Sequence, residues 1–199
     1  MCADTIRLYT RQNEKTLLML AHGGRILTRR IHVSLHFGDM AQHYLDCYDW
    51  FTREAARRVP KPADVEFPIW CAIRPESCLL PVEGTVIYIV DVPREQVIFF
   101  DDAKWDYVLN QIYLPSDPED EAAYFRHLQE LGVNSSFEFF QGRYAGRYPE
   151  EVRRIRESWR RVFETPDLSV PSVCGNIWEI RQENLVRIVR PGESVFETI

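Results

Sequence analysis

The sequence predicts an α+β fold, and two observations carry that prediction. Runs rich in β-branched and aromatic residues (GTVIYIVDV from Gly84, QVIFF from Gln96, LVRIV from Leu185) are interspersed with segments whose apolar residues recur at helical spacing. The two kinds of segment do not alternate as regular βαβ units, as a doubly wound sheet would require. At 199 residues the chain has the length of one domain with a real core, and the prediction is a single domain over 1–199.

Taken in order, Ile6 to Tyr9 reads as a short strand and Thr10-Arg11-Gln12-Asn13 as a polar turn. A helix follows, carrying Leu17, Leu18, Leu20 and Ala21 and stopping at Gly23-Gly24, with Ile26-Leu27 opening the next strand. Two glycines after a helical run are a C-cap signal, because glycine takes the left-handed conformation without steric penalty. Thr28 to Asp39 lacks clean alternation and reads as strand or loop. Asp39 to Val59 is the clearest helix, with Tyr44, Cys47, Tyr48, Phe51 and Ala55 on one stripe and Pro60 stopping it. Pro68 to Ile73 is a short apolar strand. Gly84–Val92 and Gln96–Phe100 are two strands joined through Pro93-Arg94-Glu95. Asp102 to Ile112 is a helix, and a second one starts in the acidic stretch from Pro115 and ends at Gly132. Residues 133–149 are aromatic and glycine-containing without a period, an insertion or flap. Glu150 to Phe163 is amphipathic, with Val152, Ile155, Trp159 and Val162 on one face. NIWEIR and LVRIV are two strands around Gln182-Glu183-Asn184.

Composition excludes several classes. A hydrophobic content of 45% and a charged content of 27% are ordinary for a globular protein. No run approaches the ~20 apolar residues of a membrane helix, and the N-terminus has no signal-peptide core. Five cysteines without a CxxC pair point to reduced thiols in a cytoplasm. A net charge of −6 excludes a generally basic nucleic-acid binder, although a local basic patch can still meet a phosphate backbone. GxGxxG, GxxxxGK[ST], HExxH and GxSxG are all absent. His32, His36 and His43 fit no standard metal spacing, so no metal is expected.

Two features could carry chemistry. The arginines of Glu150–Phe163, among them Arg153, Arg154 and Arg156, are either a solvated helix face or a phosphate-contacting patch. Glu179 lies between Trp178 and Ile180, so strand alternation puts it on the face opposite both. Facing solvent it is an ordinary surface acid. Facing a cleft it can hold a ribose hydroxyl and stabilise a cationic transition state.

The order YDWF (Tyr48–Phe51), PIW (Pro68–Trp70), DxxWxxVLN (Asp102–Asn110), SWRRVF (Ser158–Phe163) and IWEI (Ile177–Ile180) resembles an uncharacterised bacterial domain family of unknown function. Ile6 to Leu27 is in addition similar to the opening of ADP-ribosyltransferases, whose first strand ends in an aromatic-His-x-Thr type motif followed by a short helix and a Gly-Gly-x-Leu turn. That resemblance implies a split, twisted antiparallel sheet with flanking helices and NAD as substrate. It implies that Tyr9, Thr10, Arg11 and Gln12 hold the nicotinamide end, with Tyr48 or Trp50 as the stacking ring, and that Glu179 is catalytic. Tyr48 also reads as core on its helix, whereas Trp50 lies off the apolar stripe and is the better cleft candidate. Arg153, Arg154 and Arg156 would then meet a nucleic-acid or protein acceptor. Thr10 stands where a His or Arg is usual, and Ile177 where some members carry a second Gln or Glu. The alternative is a non-enzymatic interaction module, or an inactive nucleotide-binding domain of the same fold.

Overall fold

The chain begins on β1 (Thr5–Asn13), an inner strand of a six-stranded sheet in the computed structural model, which describes residues 4–196. Cys2 lies outside the described residues. The elements that follow are α1 (Thr16–Gly23), β2 (Arg25–Ile26), α2 (Arg30–Phe37), α3 (Ala41–Ala55), β3 (Ile69–Ala72), β4 (Thr85–Pro93) and β5 (Ile98–Asp101). After them come α4 (Asp102–Leu109), α5 (Pro118–Glu130), α6 (Pro149–Ser158), β6 (Val173–Ile177), β7 (Ile180–Arg181) and β8 (Leu185–Val189). The chain packs as two compact units, one of residues 4–99 and 168–196, the other Phe100–Asp167.

The architecture is a mixed one, a six-stranded antiparallel sheet with flanking helices. The strand order is β5-β6-β3-β1-β4-β8, and a second sheet pairs β2 with β7. β1 pairs with β4 along its whole length, from Thr5 opposite Pro93 to Asn13 opposite Thr85, and with β3 at Tyr9 opposite Ala72. β3 pairs with β6 from Ile69 opposite Ile177 to Ala72 opposite Cys174. β4 is apolar on successive residues because both of its faces are covered. Val86, Tyr88 and Val90 join Leu8, Ile69, Cys71, Ile177, Leu20 and Ile180 in the main core, while Ile87 and Ile89 pack with Val189 and Val195 on the other side.

Three expectations are corrected by the fold. Thr10 to Asn13 is the second half of β1 rather than a turn; the turn is Glu14-Lys15. Alternation explains the misreading, since polar side chains on a paired strand look like a loop when the partner strand is unknown. Arg30–Phe37 is a helix, not a strand or loop. It buries only Val33 and leaves Ile31 and Leu35 exposed, so it shows no amphipathic period. Trp50 is a core residue, 5% exposed, because α3 also buries Leu45, Cys47, Phe51, Glu54 and Ala55 and is covered on more than one stripe.

In the second unit α4 and α5 are capped by Asp101 and Asp117, each accepting two backbone N–H bonds. Gly132 takes φ 67° after α5. Residues 133–149 contain two 3-10 turns, Ser136–Phe139 and Gly142–Tyr144, and Phe139 packs edge-on against Tyr148. Among the described residues no helix is long and apolar enough to cross a membrane.

Candidate functional site

β6 ends at Ile177 and β7 begins at Ile180, so Trp178 and Glu179 occupy the break where the chain leaves the large sheet for the small one. The sequence reading placed Glu179 within a strand; the structure puts it in the break between two. Both neighbours are anchored inward. Trp178 is 5% exposed and its indole N–H donates to the Val59 carbonyl at 3.2 Å, and Ile180 is part of the main core. Glu179 lies on the wall of a cleft of about 490 Å³ in the first unit. Arg181, Glu183 and Asn184 continue the polar wall, and Pro60, Pro62, Val92 and Pro93 are among the apolar residues lining the cleft.

Glu179 is not a free carboxylate. Its Oε1 accepts from Arg181 Nε at 2.7 Å and pairs with Nη2 at 2.7 Å, while its Oε2 faces Arg25 Nε at 2.9 Å. Arg25 also pairs with Asp64 at 2.8 Å, and Arg181 reaches Glu183 at 3.6 Å. The Arg181 guanidinium is pushed above its ordinary value by its hydrogen bond to Glu179, and Asp64 is held below the usual carboxylate range by the bond from Arg25. The sequence reading missed Arg25 and Arg181. They sit opposite each other in a two-residue ladder, which is too short for periodicity to reveal.

The first-strand residues do not gather around this cleft. Thr10 is buried, its hydroxyl donates to the Trp70 carbonyl at 2.7 Å, and Gln12 donates its amide to Thr10 Oγ1 at 2.8 Å. Tyr9 and Arg11 project from the other face of β1. Tyr9 packs against the Ile87–Val189 cluster, where burial pushes its phenol up, and Arg11 donates to the Leu80 carbonyl at 3.1 Å. Four successive strand residues alternate sides, so they cannot form one binding turn. Tyr48 packs on Trp70 and Phe67 with ring centroids 5.4 and 5.7 Å away, and burial pushes its phenol up to about 12. Neither Tyr48 nor Trp50 lines the cleft.

Arg153, Arg154 and Arg156 belong to the second unit. Arg154 lies over the rings of Tyr124 and Tyr113 at 5.0 and 5.6 Å, Arg156 lies over Phe140 at 5.6 Å, and Arg153 pairs with Glu150. Arg153 and Arg156 remain exposed, whereas Arg154 is partly spent on packing. Among the described residues no group of three or more His, Cys, Asp or Glu is placed to hold a metal ion. His32 accepts from the backbone N–H of Arg29, and His36 and His43 pack edge-on against Phe37 and Tyr44. Among the described residues Cys47, Cys71, Cys78 and Cys174 are not disulfide-bonded. Asn176 was also missed: it is fully buried on β6, and neither amide atom has a hydrogen-bond partner.

The chain belongs to a family described as a domain of unknown function (DUF3841), whose model matches residues 7–186. No curated protein and no solved structure matches it significantly.

Proposed function

We propose that the Glu179 cleft is a nucleotide-binding site in a domain of ADP-ribosyltransferase-like build that does not turn its ligand over, with NAD the first ligand to test. The observation that carries this reading is the cleft itself. It lies where a late strand breaks between two sheets, and its polar wall is the run Glu179 to Asn184. Glu179, Glu183 and Asn184 are acceptors suited to ribose hydroxyls, Arg181 is a cation suited to a phosphate, and the proline and valine side chains suit the face of a base. The fit to NAD stops there. Tyr9, Thr10, Arg11 and Gln12, which the resemblance implies for the nicotinamide end, do not line this cleft. Glu179 has a guanidinium on each oxygen, so a substrate hydroxyl would have to displace one before the carboxylate could act on it.

A second reading, transfer of ADP-ribose from NAD to a nucleic acid or protein, is favoured by one observation: the only late-strand acid that the resemblance singles out does line a cleft. In that reading Glu179 accepts a hydrogen bond from the ribose hydroxyl, and its charge opposes the positive charge that develops as the glycosidic bond breaks.

The test is a thermal shift with NAD and ADP-ribose beside nicotinamide release, on wild type and Glu179→Gln. A ligand at 100 times its Kd stabilises by about 2.7 kcal/mol, which is several degrees for a chain of this size. A shift without release is the expected result. Release by wild type that collapses in Glu179→Gln would replace it with the transferase reading. The absence of both would leave an interaction module and overturn the nucleotide site.

A further inference from the structure

The small sheet sets Arg25 directly opposite Arg181, and like charges at opposed positions of an antiparallel ladder repel. A chain that only needed two strands to pair would not put guanidiniums there. Glu179 lies between them and serves both, with Oε1 on Arg181 and Oε2 on Arg25. The outer acids are more solvated: the side chain of Asp64 is 58% exposed and that of Glu183 71%, against 11% for Glu179. The central carboxylate is therefore the counter-ion that makes the arrangement tolerable. It satisfies one side imperfectly. The 2.9 Å contact between Glu179 Oε2 and Arg25 Nε lacks hydrogen-bond geometry, so both atoms are shielded from solvent without a hydrogen bond. An acceptor with more oxygens than one carboxylate would use that N–H as well.

We infer that Arg25 and Arg181 form an anion subsite for a phosphate or diphosphate group, in which the Glu179 carboxylate is the resident counter-ion. The inference rests on reading the cleft as a ligand site. Arg181 lines the cleft and its side chain is 49% exposed, so it is the guanidinium an incoming anion meets first. The anion then takes the place of Glu179 on Arg181, and Arg25 becomes its second contact. Glu179 thereby opposes binding of the charged portion of the ligand, the reverse of what a residue that only recruits ligand would do.

The experiment is titration calorimetry with inorganic pyrophosphate, ADP and adenosine on wild type, Glu179→Gln and Arg181→Gln. Removing the resident charge tightens pyrophosphate and ADP at least tenfold in Glu179→Gln. Arg181→Gln weakens both about tenfold, and adenosine responds to neither change. Pyrophosphate also raises the Tm of Glu179→Gln by more than that of wild type, because it replaces the lost counter-ion between two facing guanidiniums. Glu179→Gln binding pyrophosphate and ADP no tighter than wild type would overturn the inference, as would Arg181→Gln binding them no more weakly. Should Glu179→Gln fail to fold, Arg181→Gln decides, since it leaves the Arg25 pair with Glu179 in place. Pyrophosphate obeying the pattern while NAD and ADP-ribose shift nothing would retain the subsite and remove the nucleotide. NAD stabilising wild type while Arg181→Gln binds ADP normally would do the opposite.

Discussion

Gly175 is held small by its surroundings. A Cβ there would come within 2.8 Å of Val97 Cγ1, 3.1 Å of Ile73 Cγ2 and 3.3 Å of Leu8 Cδ2, all of them packed in or against the main core. Gly175→Ala is expected to cost about 1–3 kcal/mol, the usual penalty for overpacking, read as a lower urea midpoint at constant m-value. Its neighbour Asn176 poses the opposite problem. Both of its amide atoms are buried without partners, and an unsatisfied buried polar group costs about 1–3 kcal/mol. Asn176→Val, a branched apolar side chain one heavy atom shorter, should leave stability unchanged or raise it by about 1 kcal/mol. A clear loss in equilibrium unfolding would mean that the amide is satisfied by something bound. Neither residue announces itself in sequence. Asn176 opens the NIWEIR run that reads as a strand, and nothing local to it or to Gly175 shows the crowding and burial that the neighbouring strands supply.

Among the elements, the Gly23-Gly24 stop of α1 was legible because a glycine C-cap is local chemistry. Gly24 takes φ 68° and donates its N–H to the Leu20 carbonyl. Its Cβ position is open, so Gly24→Ala should cost only the left-handed backbone penalty of about 1–2 kcal/mol. Asp117 accepts from the Glu119 and Asp120 N–H groups at 2.9 Å each. Asp117→Ala is expected to lose about 1 kcal/mol, as N-cap deletions do, while Asp117→Asn keeps most of the stability. The strands over Pro68–Ile73, Gly84–Val92 and Gln96–Phe100 were legible from β-branched runs, within a residue or two of their ends. Their neighbours were not: β4 and β5 are joined by a short connection, yet four positions of the sheet order separate them. α2 was missed because Ile31 and Leu35 face outward, which removes the period that marks a helix.

At the scale of the whole molecule, acid stability follows from paired carboxylates. Asp91 is held low by its hydrogen bonds from Arg7, Asp64 by Arg25, and Asp117 and Asp120 by backbone N–H groups. A carboxyl whose folded-state pKa lies below its unfolded value of about 3.9 contributes stability that is present above that value. The contribution is lost as the pH falls through the folded-state values. Asp102 acts in the other sense, because burial pushes it up, and its unfavourable contribution is relieved in acid. The urea midpoint should therefore stay level down to about pH 4 and fall below it. Asp91→Asn should make that fall shallower; an unchanged acid limb would show that the Arg7 pair contributes nothing to it.

The sequence by itself determined what depends on near neighbours: a chain mixing helices and strands, its long helices, the Gly23-Gly24 stop of α1, most strand positions, and Glu179 as the acid set between Trp178 and Ile180. These follow from spacing and from bonds made within a few residues. Only the tertiary structure decided the strand order, the division of Tyr9 and Arg11 from Thr10 and Gln12 on opposite faces of β1, the burial of Trp50, and the approach of Arg25 to Glu179. Each of those depends on which distant segment lies alongside, and Arg25 meets Glu179 because β2 pairs with β7.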